Sequence, residues 1–279
     1  MDGCGDRIYV GPMHKLLLLA AQAVSLVFAP SAGAITFGQP DGNKHPSVGA
    51  LFADYDPNSP GQDLLCSGAL ISRDDFLTAS HCTEFLPGLG IGPHDVYVTF
   101  DPVPLKADGT IKPTTQLLRA TYHTHPQYGV GGDPHDIAVV TLDTATTKTP
   151  ARLPTLNQLG GMNLKSQRFT AVGYGDRRES KKGGNKALFF DGERRFVTQG
   201  FNSLTKVWLK LDMNPSTGSG GTCYGDSGGP HFLGAGANET NLLVALTVTG
   251  DTACRSTDVD YRTDTASARD FLRQFVTLP

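Results

Sequence analysis

The chain lacks a cluster of basic residues. Its 24 Lys and Arg residues and 27 Asp and Glu residues are spread along 279 positions and give a formal net charge of -3 at pH 7. Proteins that bind nucleic acid or an anionic membrane surface usually present a basic patch. We therefore expect neither as a partner. The sequence also has no internal repeat and no low-complexity tract, which argues against a repeat architecture.

A long uninterrupted hydrophobic run is absent as well. A glutamine and a serine interrupt the apolar stretch at residues 16–29, whereas a membrane-spanning helix needs roughly 18 or more apolar residues in succession. A basic pair precedes the stretch, and Pro-Ser-Ala-Gly-Ala at 30–34 follows it with an ending that suits signal peptidase. We predict that residues 1–34 are a signal peptide region, removed on secretion, and that the protein has no stable membrane association. Met13 is a second candidate start, because two aspartates and a single arginine precede it.

Cysteine is scarce, with five residues, and one of them, Cys4, lies in the predicted leader. The other four lack Cys-x-x-Cys spacing, which argues against a structural zinc site. Four cysteines in a secreted chain indicate two disulfides, for which three pairings exist. The bonds Cys66–Cys82 and Cys223–Cys254 would each brace a loop beside a candidate catalytic residue.

From Ile35 on, the sequence consists of short apolar or alternating runs separated by Gly, Pro, Asn and Asp. With 39% hydrophobic residues, the chain can bury the core of one large all-β domain or of two small ones. The spacing of the runs predicts antiparallel strands in a sandwich or barrel rather than alternating strands and helices. The candidate strands are residues 48–52, 64–71, 96–100, 137–142, 169–173, 207–211 and 242–249.

One helix is predicted at the C-terminus. Thr265 can cap its first turn, and apolar residues then recur at spacings of three and four, which is the pattern of a helical stripe. We expect this stripe to pack residues 265–279 against the body of the protein. Its members are Ala268, Phe271, Leu272, Phe275 and Val276.

Three segments carry side chains suited to acyl transfer. His81 lies in Leu-Thr-Ala-Ser-His-Cys, Asp136 in His-Asp-Ile-Ala-Val-Val, and Ser227 in Gly-Asp-Ser-Gly-Gly-Pro. A serine hydroxyl becomes a nucleophile when a neighbouring imidazole takes its proton, and an aspartate can orient that imidazole. We assign Ser227 as nucleophile, His81 as general base and Asp136 as the residue that orients it. The backbone N–H groups of Gly225 and Ser227 would stabilise the oxyanion on the attacked carbonyl.

These segments resemble those of the trypsin-like, or chymotrypsin-fold, serine endopeptidases. The histidine of that family lies in Thr-Ala-Ala-His-Cys, matched here with Ser80 in place of one alanine. Its aspartate lies in Asp-Ile-Ala-Leu, matched here with Val139 in place of leucine. The serine motif matches in full, and the order His, Asp, Ser is also that of the family.

The resemblance covers the chain from about Ile35 to the C-terminal helix. It implies an all-β fold of two antiparallel six-stranded β-barrels with the active site between them. The N-terminal barrel would span residues 35–150, the C-terminal barrel residues 151–264, and the helix residues 265–279.

The resemblance also implies a switch at the N-terminus. The family's mature chain opens with Ile-Val-Gly-Gly, and its new α-amino group pairs with the aspartate before the catalytic serine. Ile35-Thr36-Phe37-Gly38 and Asp226 occupy those positions here. A buried amine needs a charged partner to offset its desolvation. Because Ala32-Gly33-Ala34 abuts Ile35, signal peptidase itself would create the active N-terminus, with no separate zymogen step.

By the family's spacing, five residues contribute to the pocket that accepts the side chain before the scissile bond. Gly221 lies at the base with Thr222 beside it, and Gly250 forms the opposite wall. The following strand presents either Val259 or Asp258 inward, depending on a one-residue choice of register. Val259 would favour small apolar side chains, the alternative that we prefer, and Asp258 would favour basic ones.

The sequence thus predicts a secreted serine endopeptidase, a monomer that acts on a peptide or protein substrate and needs no cofactor. A metal is not expected either. His125 and His135 fall at ordinary family positions in a connecting loop, and no second shell of metal-supporting residues is evident around them and His123. The alternative function is a non-catalytic binding protein on the same fold, against which the presence of all three triad residues argues.

Overall fold

The computed structural model describes residue 1 and residues 35–59, 61–178 and 188–279. The predicted signal region therefore lies outside the described residues, apart from Met1. No helix within the described ranges is long and apolar enough to cross a membrane. The first regular element is a two-residue strand, β1 (Gln39–Pro40).

Six antiparallel strands close a barrel in the first half of the chain. They are β2 (Val48–Ala53), β3 (Asp63–Leu70), β4 (Asp75–Thr78), β5 (Val96–Thr99), β6 (Leu118–Thr124) and β7 (Ala138–Leu142). The strands pair in the order β2-β3-β4-β7-β6-β5, and β5 returns to pair with β2. Because each strand has two neighbours, the barrel has no open edge.

A second barrel follows in the other half of the chain. Its region contains β8 (Arg168–Gly173), β9 (Arg177–Arg178), β10 (Leu188–Phe189), β11 (Arg195–Leu204), β12 (Trp208–Asp212), β13 (Pro230–Leu233), β14 (Leu243–Gly250) and β15 (Thr257–Arg262). The ring runs β8-β11-β12-β15-β14-β13 and closes between β13 and β8, while β1 adds to β11 and β9 pairs with β10. These two rings confirm the predicted all-β fold of two antiparallel six-stranded barrels.

Apolar side chains form one core in each barrel and a third layer between them. Leu51 and Val98 lie in the core of the first barrel, and Leu211 lies in that of the second. Phe52 belongs instead to a cluster that also contains Phe232 from the second barrel. Successive residues of a strand point to opposite faces, so β2 contributes to both layers. The shared layer holds the two barrels against each other.

A short helix, α1 (Ala266–Leu272), ends the regular structure. The Thr265 hydroxyl caps it by accepting a hydrogen bond from the Ala268 N–H at 3.1 Å, as predicted. Helical structure stops at Leu272, short of residue 279. Residues 273–276 form a turn and a bend, and the Arg269 guanidinium donates to the Pro279 carbonyl at 2.5 Å.

Candidate active site

The end of β4 leads directly into the segment that carries His81. Ser80–Cys82 form a single 3-10 turn, and the hydroxyl of its first residue donates to the Ile137 carbonyl at 2.7 Å. A disulfide from Cys82 to Cys66 ties the same turn to β3. These two links fix the backbone of His81 beside the start of β7.

Asp136 holds His81 through two contacts. Its Oδ1 accepts the backbone N–H of His81 at 2.9 Å, and its Oδ2 lies 2.9 Å from the ring Nδ1. The Asp136 side chain is 4% exposed, whereas that of His81 is 27% exposed. The carboxylate therefore orients a solvent-facing imidazole with its proton on Nδ1, which leaves Nε2 available to accept a proton.

Two glycines in the left-handed region shape the loop that carries Ser227. Gly225 has a φ of 93° and Gly228 a φ of 74°, conformations that glycine adopts readily. A Cβ on Gly228 would lie 2.1 Å from Thr78 Oγ1, so the loop packs on the residues that lead to His81. Among the described residues the His81 ring bonds Asp136 and not the Ser227 hydroxyl. In substrate-free enzymes this second contact is often long and tightens on binding.

The backbone around Ser227 offers two free donors. Within the described part of the chain, neither the Gly225 N–H nor the Ser227 N–H donates a hydrogen bond. The other N–H groups of the turn are used: that of Asp226 bonds the Cys223 carbonyl at 3.0 Å, and that of Gly229 bonds the Asp226 carbonyl at 2.7 Å. Two unpaired N–H groups on one turn can receive an oxyanion.

Sequence reasoning missed Ser67, which supports this turn from the first barrel. Its hydroxyl donates to the Gly225 carbonyl at 2.9 Å and accepts the Tyr174 N–H at 2.9 Å. Its own N–H donates to the Ser227 carbonyl at 2.9 Å. The only sequence feature of Ser67 is its position next to Cys66, and this position does not indicate a role in the site.

Asp226 is fully buried beneath the serine loop. Its two carboxylate oxygens accept the N–H groups of Gly175 and Cys223, each at 2.8 Å. Burial raises the pKa of this carboxyl to about 8, against the effect of the two backbone donors. Ile35 is also buried and packs with Ala171. The predicted ion pair of Ile35 with Asp226 is not formed in the intact chain, because the nitrogen of Ile35 is there part of a peptide bond.

A cavity of about 190 Å³ opens beside the serine loop. Of the five predicted pocket residues, Thr222 and Gly250 line this cavity, while Gly221, Asp258 and Val259 do not. Gly221 instead forms a β-bridge with the N-terminal segment. The second disulfide, Cys223–Cys254, also lies at the cavity. The full wall consists of Thr222, Cys223, Tyr224, Ser227, Thr247, Val248, Thr249, Gly250, Asp251, Thr252 and Cys254.

The register of β15 turns Asp258 towards the interior of the second barrel. Asp258 is 0% exposed, and its neighbour Val259 is half-buried on the other face. Asp258 Oδ2 accepts the Thr222 hydroxyl and the Gln199 amide, each at 2.7 Å. Burial, together with the neighbouring Asp260, raises the pKa of Asp258 to about 7. The side chain of Asp258, and not that of Val259, therefore points inward. The hydroxyl of Thr222 lies between Asp258 and the cavity.

Comparison with known proteins agrees with this geometry. The family model described as Trypsin matches residues 42–272. A protein named trypsin from Saccharopolyspora erythraea is 25% identical over 215 residues, which cover 76% of this chain and 84% of the relative. A trypsin-like protease from Streptomyces glaucescens is 31% identical over 199 residues, or 68% of this chain and 67% of the relative. A protein named glucanase inhibitor protein 2 from Phytophthora sojae is 26% identical over 257 residues, or 83% and 78%. The chain thus belongs to the trypsin family.

Proposed function

We propose that this protein is a secreted serine endopeptidase that cleaves peptide bonds through an acyl-enzyme on Ser227. The observation that carries the proposal is the combination of a doubly bonded His81–Asp136 pair with a serine loop that offers two unpaired N–H groups. The substrate is a peptide or protein, and the enzyme acts as a monomer without a cofactor.

Acylation uses these groups in two steps, the formation and the collapse of a tetrahedral intermediate. As Ser227 Oγ attacks the scissile carbonyl carbon, its proton passes to His81 Nε2, and Asp136 stabilises the imidazolium that forms. The carbonyl oxygen becomes an oxyanion and accepts hydrogen bonds from the N–H groups of Gly225 and Ser227. Each such donor contributes about 2.7 to 4 kcal/mol of transition-state stabilisation. The C–N bond then breaks, and His81 returns the proton to the leaving amine.

Deacylation follows the reverse sequence of steps, with a water molecule in the place of the amine. A water molecule gives a proton to His81 as its oxygen attacks the ester carbonyl, and the same two N–H groups hold the second oxyanion. Collapse of this intermediate breaks the bond to Ser227 Oγ, which recovers its proton from His81. The products are a new carboxylic acid and the regenerated enzyme.

The cavity beside Ser227 suits a small uncharged side chain. Its wall carries four threonine side chains and no side chain at Gly250, and the Asp251 carboxylate in the same wall already accepts the N–H groups of Ser256 and Thr257. The last residues of β14 are exposed, which leaves their backbone accessible for pairing with an extended peptide. Digestion of a peptide library with the secreted protein tests the proposal: we expect internal cleavage after small side chains. Enrichment of lysine or arginine would instead favour the Asp258 alternative, and absence of all internal cleavage would contradict an endopeptidase.

The rival function is a non-catalytic binding protein on the same fold. The Phytophthora sojae relative, by its name a glucanase inhibitor, motivates this alternative. Such a protein has no need of a nucleophile, base and oxyanion donors together. Retention of His81, Asp136 and Ser227 therefore supports the enzyme.

We further propose that cleavage before Ile35 switches the enzyme on. The new α-amino group would pair with Asp226, whose carboxylate holds the serine loop through Cys223 N–H. The charge of the amine would offset the cost of burying an ionised carboxylate. N-terminal sequencing of the secreted protein tests this idea, and a first residue beyond Ile35 would contradict it.

The intact chain should lose stability as the pH rises. An acid whose pKa is raised from about 3.9 to about 8 keeps its proton in the folded state after the unfolded chain has lost it. The folded state then binds more protons, so its stability falls between these two pH values. We expect urea unfolding of intact Ser227→Ala to show this decline from pH 5 to pH 8. Asp226→Asn in the same background should reduce the decline, and an unchanged slope would contradict the role of Asp226.

Replacing Ser67 with alanine should impair catalysis more than binding. The change removes the hydroxyl that holds the Gly225 carbonyl and leaves the Tyr174 N–H unpaired. A hydrogen bond of this kind contributes about 0.5 to 1.5 kcal/mol, so we expect kcat to fall by about two- to tenfold with KM nearly unchanged. Steady-state hydrolysis of a chromogenic peptide measures both constants. A loss confined to KM would show that Ser67 does not position the oxyanion donors.

A further inference from the structure

A second group of ionisable side chains lies inside the second barrel, apart from the triad. His231 lies on β13, and Asp258 and Asp260 lie two residues apart on β15. All three are 0% exposed. Within the described ranges, His231 is the one side chain in ion-pair contact with either carboxylate. Two buried carboxylates therefore face a single imidazole.

The donor atoms of these side chains converge. His231 Nε2 lies 2.9 Å from Asp260 Oδ1 and 3.8 Å from Asp258 Oδ2, and one atom from each residue lies within 4.8 Å of the others. Two ligands of a tetrahedral zinc ion, each about 2.0 Å from the metal, lie about 3.3 Å apart. The observed separations fall on both sides of that value. The three donors can thus close around one ion with small adjustments.

Several oxygens in the cluster have no hydrogen-bond partner among the described residues. Asp260 Oδ2, Asp258 Oδ1 and Gln199 Oε1 are in this state, as is His231 Nδ1, whereas Asp260 Oδ1 is in ion-pair contact with His231 Nε2. Buried polar atoms are normally satisfied, and unsatisfied ones call for an explanation such as a bound ion. Asp258 is also held at its other oxygen by Thr222 and Gln199. Hydrogen bonds that fix a carboxylate in this way are typical of metal-ligating side chains.

We propose that His231, Asp258 and Asp260 form a binding site for a divalent cation of the zinc type. The positive charge of such an ion matches in size the negative charge of the two ionised carboxylates. The ion would therefore offset the cost of burying them. One imidazole nitrogen with carboxylate oxygens is a donor set for zinc, whereas magnesium and calcium favour oxygen ligands and more of them. Sequence spacing gave no sign of this site, because β13 and β15 are brought together by β14.

The cavity beside Ser227 supplies an entry path. Thr222 and Thr247 both line that cavity. The Thr222 hydroxyl contacts Asp258 at 2.7 Å, and the Thr247 hydroxyl lies 2.9 Å from His231 Nε2. Two side-chain hydroxyls thus separate the cluster from the open cavity. The proposal does not depend on peptidase activity, because no step of catalysis involves these three ligands.

Calorimetric titration of the full chain with Zn²⁺ after removal of metals by a chelator tests the site. In a Ser227→Ala background we expect one equivalent to bind and the melting temperature to rise. Asp260→Asn and His231→Gln should each weaken binding by more than about 100-fold. The exposed Asp270→Asn is the matched control and should bind like the parent. His81→Ala should also retain binding, because the ion does not use the triad histidine.

Two results would overturn the proposal: no tight Zn²⁺ binding to the parent, or binding that His81→Ala abolishes and Asp260→Asn leaves intact. Should a cluster variant fail to fold, anomalous diffraction at the zinc edge from the parent protein decides instead. A peak between His231 and the two aspartates supports the site. A peak elsewhere, or none, contradicts it.

Discussion

Ser227→Ala is expected to lower kcat/KM for a peptide substrate by about 10⁶-fold, the scale on which triad enzymes respond to loss of their nucleophile. In the proposed mechanism, the hydroxyl oxygen of Ser227 is the atom that bonds to the substrate carbonyl carbon. The residual rate would come from the oxyanion donors and from binding alone. Hydrolysis of a fluorogenic peptide under single-turnover conditions measures the loss.

The fold should be unaffected by this change. The Ser227 hydroxyl makes no hydrogen bond to His81 in the structure, so its removal leaves no partner unsatisfied there. Ser216→Ala is a matched control, since Ser216 is exposed in a turn that does not line the cavity beside Ser227. Equal activity of Ser227→Ala and Ser216→Ala would contradict the assignment of the nucleophile.

Asp136→Asn is expected to have the second-largest effect, a fall in kcat of about 10⁴-fold. The carboxylate accepts two hydrogen bonds from His81, one from the backbone and one from Nδ1. An amide can present its N–H₂ group to the ring instead, which would select the tautomer with its proton on Nε2. That tautomer cannot take the proton of Ser227, and the imidazolium would lose its counter-charge.

Measuring kcat together with the melting temperature separates this role from a structural one. With the carboxylate replaced, kcat should fall by about 10⁴-fold while the melting temperature stays close to that of the parent. Asp54→Asn, at an exposed site on the first barrel, should change neither kcat nor the melting temperature. A loss of activity in Asp136→Asn that follows a fall in melting temperature alone would contradict the orienting role.

The strands with plain apolar patterns were predictable from sequence. Each of the seven predicted strands matches an observed one to within one residue at either end, as with residues 48–52 and β2 (Val48–Ala53). These strands bury apolar side chains in one of the cores, so hydrophobicity and burial coincide. The resemblance to the serine endopeptidase family predicted that the strands form two barrels. The local sequence pattern alone does not distinguish a sandwich from a barrel.

Two of the strands that were missed, β11 and β15, have polar side chains that point inward. β15 turns Asp258 and Asp260 inward, and β11 contributes the buried Gln199. Hydrophobicity alone predicts that such residues are exposed, and their partners can be identified only from the tertiary contacts. Arg194 shows the same effect: it is fully buried and pairs with Asp41 at 2.8 Å across a long sequence separation.

The pairing of the cysteines was more predictable than the contacts that support the serine loop. The two disulfides form with the expected pairing, Cys66–Cys82 and Cys223–Cys254. The support from Ser67 was not foreseen, because it depends on the approach of one barrel to the other. The inward residue of β15 was left open between two registers, and the preferred Val259 alternative is not the one observed. A one-residue shift in pairing reverses every side chain of a strand.

The most direct test of the proposed activity is covalent labelling of the protein with a fluorophosphonate. Attack by an activated serine displaces fluoride and leaves a phosphonate ester on Oγ, which mass spectrometry of tryptic peptides can locate. We predict one equivalent of label on Ser227 in the parent protein and none in Ser227→Ala. Labelling of both proteins, or of neither, would contradict the assignment of Ser227 as the catalytic nucleophile.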